Sequence, residues 1–256
     1  MPASHDKPGH DHNKIDLLDT LVISRRFCGP PNSGNGGYSC GRLAHYVDGP
    51  ATVRLMQPPP LETPLEVVRV GEEVQLRSGE ELVARAWPGG PQVDVPPAPG
   101  LAEARRRRGY YGGLDRHVFP GCFVCGVDRA EGDGLRVHAG PESPSGEGPH
   151  EVACNWTPDG SLCDAAGIVA DHFVWAALDC PSGWAFLTFA DEIALLGEYS
   201  AEVLTPLHCG REYIVTGWEI SSEGRKRRTG SAIYAQDGQP VARAQATWIR
   251  IEGAGS

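Results

Sequence analysis

Apolar positions recur along this chain in two rhythms, and each rhythm is met twice. Short apolar-rich runs bounded by turn residues predict strands at Thr52–Leu55, Leu65–Val70, Glu73–Arg77 and Leu82–Trp87, with Ser78-Gly79 as one of the separating turns. A second set is predicted at Tyr199–Leu204, Glu212–Ile220, Arg228–Ala235 and Pro240–Ile251. A helix precedes each set. In the first half it covers Tyr38–Val47, after a loop dense in turn residues that runs from Cys28 to Gly37. In the second half Ile168, Val169, Phe173, Val174, Ala177 and Leu178 recur at helical spacing and predict a helix over Ile168–Leu178. Alternation over residues 15–27 reads as a first strand, and Gly134–His138 and Glu151–Trp156 read as strands opening the second half.

The repetition extends to the residues themselves. Ser78-Gly79-Glu80-Glu81-Leu82-Val83-Ala84-Arg85-Ala86 returns as Asp237-Gly238-Gln239-Pro240-Val241-Ala242-Arg243-Ala244, and a Thr-Pro-Leu step occurs at Thr63-Pro64-Leu65 and at Thr205-Pro206-Leu207. A helix-plus-sheet unit has been duplicated. The chain then divides into a disordered tail (1–14), a first domain (15–99), a linker (100–120) and a second domain (121–253). Two long antiparallel sheets, each with one helix, would lie side by side, and a site can be assembled from one piece of each copy.

Hydrophobic content of 40% and charged content of 22% are those of a globular protein. The net charge of −10 argues against a nucleic-acid partner, since phosphate binding relies on clustered Lys and Arg. No apolar run approaches the ~20 residues of a membrane span. The polar N-terminus, with His5, His10 and His12, lacks the apolar core of a secretory signal, so a cytoplasmic location with reduced thiols is expected for the eight cysteines. Cys122-Phe-Val-Cys125 has the spacing of half a zinc site, but no second close pair completes it and the spacing to His117 fits no standard finger; a tight turn with partly buried thiols is the simpler reading. Arg105-Arg-Arg-Arg108 and Arg225-Lys-Arg-Arg228 are charged faces or turns that would also suit phosphates.

The glycine-rich turns carry a resemblance. Asn32-Ser-Gly-Asn35-Gly36-Gly37 resembles the Gly-x-x-His-Gly-Gly turn of hot-dog thioesterases of the phenylacetate-pathway type, with Asn35 at the His position. That family places an acidic residue nine positions after the His. In the first half this position is Ala44; in the second half, counted from Ala170 in Gly167-Ile-Val-Ala170-Asp171-His172, it is Asp179. Cys163-Asp164-Ala-Ala-Gly167-Ile168-Val169 looks like the loop of 4-hydroxybenzoyl-CoA thioesterases whose catalytic Asp would fall on Asp164, and Cys122-Phe-Val-Cys-Gly126 with Gly134-Leu135 resembles the opening of many single hot-dog thioesterases.

The resemblance implies an α+β fold of two hot-dog domains in tandem, each a long antiparallel sheet wrapped around one central helix. It implies a thioesterase acting on an acyl-CoA or acyl-carrier thioester. No cofactor or metal is needed, coenzyme A entering only as part of the substrate, and a homodimer of the chain is a family expectation. In such folds the site takes its turn from one domain and its acid from the other. Asn35, Gly36 and Gly37 with Asp179 would then make one complete site, Asp179 acting as base or nucleophile and the two glycines as oxyanion donors. The reciprocal pairing of the Ala170-Asp171 turn with Ala44 would be degenerate, with His45 as an outside candidate for a surrogate base. Asp164 reads as a helix cap or a catalytic acid, and Asp171 as a first-turn carboxylate or a pocket group. His172, Trp175, Trp184 and Phe173 read as core or as lining of an acyl pocket, and Arg105 and Arg106 as contacts to CoA phosphates. A non-catalytic acyl-CoA-binding protein is the alternative. A hot-dog hydratase or dehydratase ranks lower, because neither helix-entry turn carries that group's Asp-x-x-x-x-His loop.

Overall fold

A computed structural model describes residues 15–145, 151–187 and 193–251. The tail over 1–14 with its histidines, and the last residues of the second expected domain, lie outside the described residues. The elements are β1 (Ile15–Val22), α1 (Gly36–Ala44), β2 (Ala51–Leu55), β3 (Pro64–Val70), β4 (Glu73–Ser78), β5 (Glu81–Pro88), α2 (Leu101–Arg108), β6 (Glu151–Trp156), α3 (Asp171–Trp184), β7 (Ile193–Val203), β8 (Tyr213–Glu223), β9 (Lys226–Tyr234) and β10 (Pro240–Ile251).

All ten strands form one sheet in the order β1-β3-β4-β5-β2-β7-β10-β9-β8-β6, with antiparallel neighbours throughout. Equating β1 with β6, α1 with α3, β2 with β7, β3 with β8, β4 with β9 and β5 with β10 makes the second half of the order the first half reversed. The duplication read in the sequence is therefore a pseudo-two-fold pair of hot-dog units. The two halves are not separate sheets: β2 and β7 join edge to edge, from Ala51↔Ala201 to Arg54↔Glu198. Arg54 and Glu198 pair across that seam, and the Ser200 hydroxyl donates to the Ala51 carbonyl.

Alternation explains which face is covered. On β3, Leu65 and Val67 are buried while Glu66 is exposed, and on β4 Val74 and Leu76 are buried. These residues look towards the helices, which pack on each other on the covered side of the sheet. α3 is buried continuously from Phe173 to Gly183, as expected of a helix between a sheet and a second helix. α1 meets it through two glycines one turn apart. A Cβ on Gly37 would stand 2.5 Å from Asp179 Cβ, and one on Gly41 would stand 2.7 Å from His172 Cα. The absence of side chains at both positions lets the backbones approach.

Several boundaries differ from the sequence expectation. The first strand ends at Val22, and Arg25–Phe27 form a 3-10 turn. Gly134–His138 is not a strand: Leu135 and Val137 donate to the carbonyls of Phe123 and Val124, but Arg136 between them has φ 52°, which breaks the pleat. β7 starts at Ile193, ahead of the expected Tyr199. α3 begins at Asp171, because Ile168 bridges to His208 and the Val169 N–H bonds the Leu207 carbonyl. It then continues through Pro181. Nearby carbonyls are met by side chains, the Ser182 hydroxyl on that of Asp179 and the Ser231 hydroxyl on that of Leu178.

The expectation of eight reduced thiols holds for six of them; Cys163 and Cys209 form a disulfide, their Cα atoms 6.2 Å apart. The bonds of Val169 and Cys209 N–H to Leu207 and Gly167 carbonyls bring these loops together. The arginine-rich run forms α2, which packs on the second half through Ala104 against Ile214, Ala232 and Tyr234. Among the described residues no helix is long and apolar enough to cross a membrane.

Candidate active site

Asn35 sits at the N-cap of α1, where the first helical N–H groups have no partners within the helix. Its side-chain oxygen accepts from the Tyr38 N–H at 2.9 Å, so its Nδ2 faces away from the helix. That Nδ2 donates to Asp179 Oδ2 at 2.8 Å. The Gly37 N–H donates to the same oxygen at 2.9 Å. The turn is itself pinned: the Asn35 N–H bonds the Phe27 carbonyl, and the Ser39 hydroxyl bonds the Asn35 carbonyl. A carboxylate from the second half is thus clamped by two donors from the first.

Asp179 is 2% exposed, and its other oxygen, Oδ1, has no hydrogen-bond partner among the described residues. Burial pushes the carboxyl up to about 7, opposed by the Gly37 N–H and Asn35 bonds. The Gly36 N–H likewise has no partner among the described residues.

Asn35, Gly36 and Asp179 line a cavity of about 740 Å³ that draws on both halves. Its other walls include Pro59, Phe119, Trp184, Leu196 and Trp248, so its surface is predominantly apolar. A volume of this order accommodates a drug-sized ligand. The arrangement offers an aimed carboxylate oxygen, a nearby free helix-entry N–H, and an apolar chamber beside both.

The remaining sequence candidates are placed elsewhere. Gly37 is behind the cavity wall with its N–H engaged by Asp179, so it orients the carboxylate rather than standing free as an oxyanion donor. Asp171 is exposed in the first turn of α3 and does not line the cavity. His172 packs edge-to-face on Tyr38, with ring centroids 5.3 Å apart; burial pushes it down to about 4. Trp175 is buried against Tyr199, whose hydroxyl donates to the Trp175 carbonyl at 2.9 Å. Neither His172 nor Trp175 lines the cavity, while Trp184 does.

Asp164 accepts from the Ala166 and Ile168 N–H groups, both at 2.9 Å. It closes a turn and does not cap the helix, because α3 begins seven residues later at Asp171. Arg105 is bound to both carboxylate oxygens of Glu212, and Arg106 to both of Glu103. Neither arginine lines the cavity. His45 is exposed beside Tyr46. Sequence reasoning missed Pro59, Leu196 and Trp248, and nothing local distinguishes these from ordinary loop or core residues.

No family model matches this chain, and no curated protein matches it in sequence. Solved structures share its fold over nearly its whole length. An acyl-CoA thioesterase II from Mycobacterium marinum superposes with TM-score 0.60 at 11% identity, covering 95% of this chain and 98% of the other. The tesB protein of Mycobacterium avium subspecies paratuberculosis gives TM-score 0.53 at 14% identity, covering 93% of this chain and 92% of its own. At identities this low the superpositions establish a shared tandem hot-dog fold and nothing beyond it.

Proposed function

We propose that this chain is a thioester hydrolase acting on an apolar acyl group carried by coenzyme A or an acyl-carrier protein. The observation that carries the proposal is the Asp179 carboxylate, clamped across the halves by Asn35 and Gly37 beside a largely apolar cavity. The names of the two structural neighbours support the same reading.

The chemistry follows from the two free groups. A water at Asp179 Oδ1 gives up a proton as its oxygen attacks the thioester carbonyl carbon. The carbonyl oxygen becomes an oxyanion, met by the Gly36 N–H and the positive end of α1. The tetrahedral intermediate collapses by breaking the C–S bond, and the proton held on Asp179 passes to the departing thiolate. A carboxylic acid and a thiol leave. Asn35 and Gly37 keep Oδ2 occupied so that Oδ1 is the oxygen that works. The other helix entry cannot do this, since Ala44 stands where a carboxylate would be needed.

One observation favours a second reading, binding without turnover: the Gly37 N–H is not free to help hold an oxyanion. Thiol release from short, long and aromatic acyl-CoAs, paired with calorimetry on the same panel, separates the two. Turnover on any member supports hydrolysis. Saturable binding with no turnover on all members supports the binder.

A further inference from the structure

Cys180 directly follows Asp179 on α3, and its side chain meets two cysteines that lie far away in sequence. The Sγ atoms of Cys122, Cys125 and Cys180 all lie within 4.8 Å of one another, and all three residues are buried. Cys122 Sγ and Cys180 Sγ are 3.8 Å apart. Two thiolates on one tetrahedral zinc, with Zn–S bonds of about 2.3 Å, stand about 3.8 Å from each other. The Cys122–Gly126 segment is a tight turn, in which the Gly126 N–H bonds the Cys122 carbonyl at 2.9 Å. A Cβ on Gly126 would collide with the Cys122 and Pro120 carbonyl oxygens, so the turn requires glycine there.

The surroundings suit charged sulfur. His117 Nδ1 accepts from the Phe119 N–H at 3.0 Å, which leaves the ring proton on Nε2, 3.4 Å from Cys125 Sγ. A ring N–H therefore faces one of the three buried sulfurs. A neutral thiol is a weak acceptor for such a donor, whereas a metal-bound thiolate is a strong one.

We propose that Cys122, Cys125 and Cys180 form a binding site for a thiophilic divalent cation, zinc, with His117 as a hydrogen-bond donor to Cys125 outside the ligand set. Thiolates select zinc over the hard cations. Binding displaces three thiol protons and forms three Zn–S bonds, with no change of oxidation state. The fourth position would be filled by solvent from the cavity, whose wall the three cysteines share. The bound ion would tie the turn at the start of the second half to α3, next to Asp179. Cys163–Cys209 and the reactive carboxylate take no part in it.

The test is zinc content by mass spectrometry. The full chain would be purified under reducing conditions without chelator, in a His5→Ala, His10→Ala, His12→Ala background so that the histidine cluster contributes nothing. The expected result is about one zinc per chain, lost in Cys125→Ser and Cys180→Ser and retained in Cys40→Ser. Cobalt added to the metal-free reduced protein should give thiolate-to-cobalt charge-transfer absorption. If the serine variants do not fold, the native protein decides alone. No stoichiometric zinc and no cobalt–thiolate absorption, with the thiols shown free by alkylation, would overturn the proposal. So would a disulfide within the cluster in place of metal.

Discussion

Adding one methyl group at Gly37 tests the helix contact on which the site depends. In Gly37→Ala the new carbon would stand 2.5 Å from Asp179 Cβ, 2.8 Å from the Trp175 carbonyl oxygen and 3.1 Å from Asp179 Cγ. Carbon atoms settle at roughly 3.5–4.0 Å, so α1 and α3 must part by about 1 Å. The Gly37 N–H bond to Asp179, 2.9 Å long, would then exceed the useful range of about 2.7–3.2 Å. Overpacking costs about 1–3 kcal/mol, and a lost bond to a charged group about 1.5–3 kcal/mol. Replacing a helical glycine returns about 1 kcal/mol. The net loss is about 1.5–5 kcal/mol, within the ~5–15 kcal/mol that domains possess, so the variant should fold but weakly. Displacing the base by about 1 Å should lower the rate on the order of 100-fold. Gly36→Ala is the control for stability alone, since Gly36 lines the cavity. Its added carbon finds the Leu196 side chain nearest, Cδ2 at 2.9 Å and Cβ at 3.1 Å, and no atom of α3 among its nearest neighbours, so its stability should fall by about 1 kcal/mol, less than in Gly37→Ala. Urea denaturation of both variants, and thiol release from Gly37→Ala beside the native protein, provide the comparison. A Gly37→Ala protein with native midpoint and native turnover would refute the account of the helix contact.

Three further outcomes follow from the placement of other residues. Asp164→Ala loses two turn hydrogen bonds and should cost about 1–2 kcal/mol in urea while leaving kcat unchanged; a large loss of kcat would return Asp164 to the chemistry. Arg105→Ala breaks the pair with Glu212 outside the cavity, so KM for acyl-CoA should shift by less than about two-fold, and a large rise in KM would restore the phosphate role. Burial holds His172 at about 4, below its ordinary 6.5, near the positive Arg42 and with His45 close by. The unfolded chain therefore takes up the extra proton first. This contribution to stability is complete above about pH 6.5 and is lost as pH falls towards 4. Urea midpoints measured down that range should decline less steeply in His172→Gln, and an identical slope would contradict the assignment.

The meeting of Asn35 and Gly37 with Asp179 was legible because its parts are local. Asn35-Gly36-Gly37 announces a helix entry by composition, and Asp179 lies a fixed number of residues after the equivalent entry in the second half. Duplication then implied that the two would meet. Most of what stayed hidden depends on contacts distant in sequence. Gly37 was assigned to the oxyanion, yet its N–H faces Asp179, and only the packing of α1 on α3 decides that. The cysteine pair at Cys122 and Cys125 lacked a partner because Cys180 arrives from a helix more than fifty residues on, at a separation of 58 from Cys122. The expected helix ended at Leu178, whereas α3 runs on through Pro181 to Trp184, with the Ser182 and Ser231 hydroxyls on the Asp179 and Leu178 carbonyls. Arg105 looked free for phosphates until the fold brought Glu212 to it, whereas Arg106 is held by Glu103 one turn earlier on the same helix.

Asp179→Asn compared with the native protein tests the central claim most directly. The amide is isosteric, and its oxygen can accept the bonds from Asn35 and Gly37, so the fold is kept while the base is removed. Thiol release would be measured on the best acyl-CoA, with its affinity determined by calorimetry. The account predicts a fall in kcat of about 10²–10⁴-fold with affinity little changed. Undiminished turnover in the folded variant would contradict it.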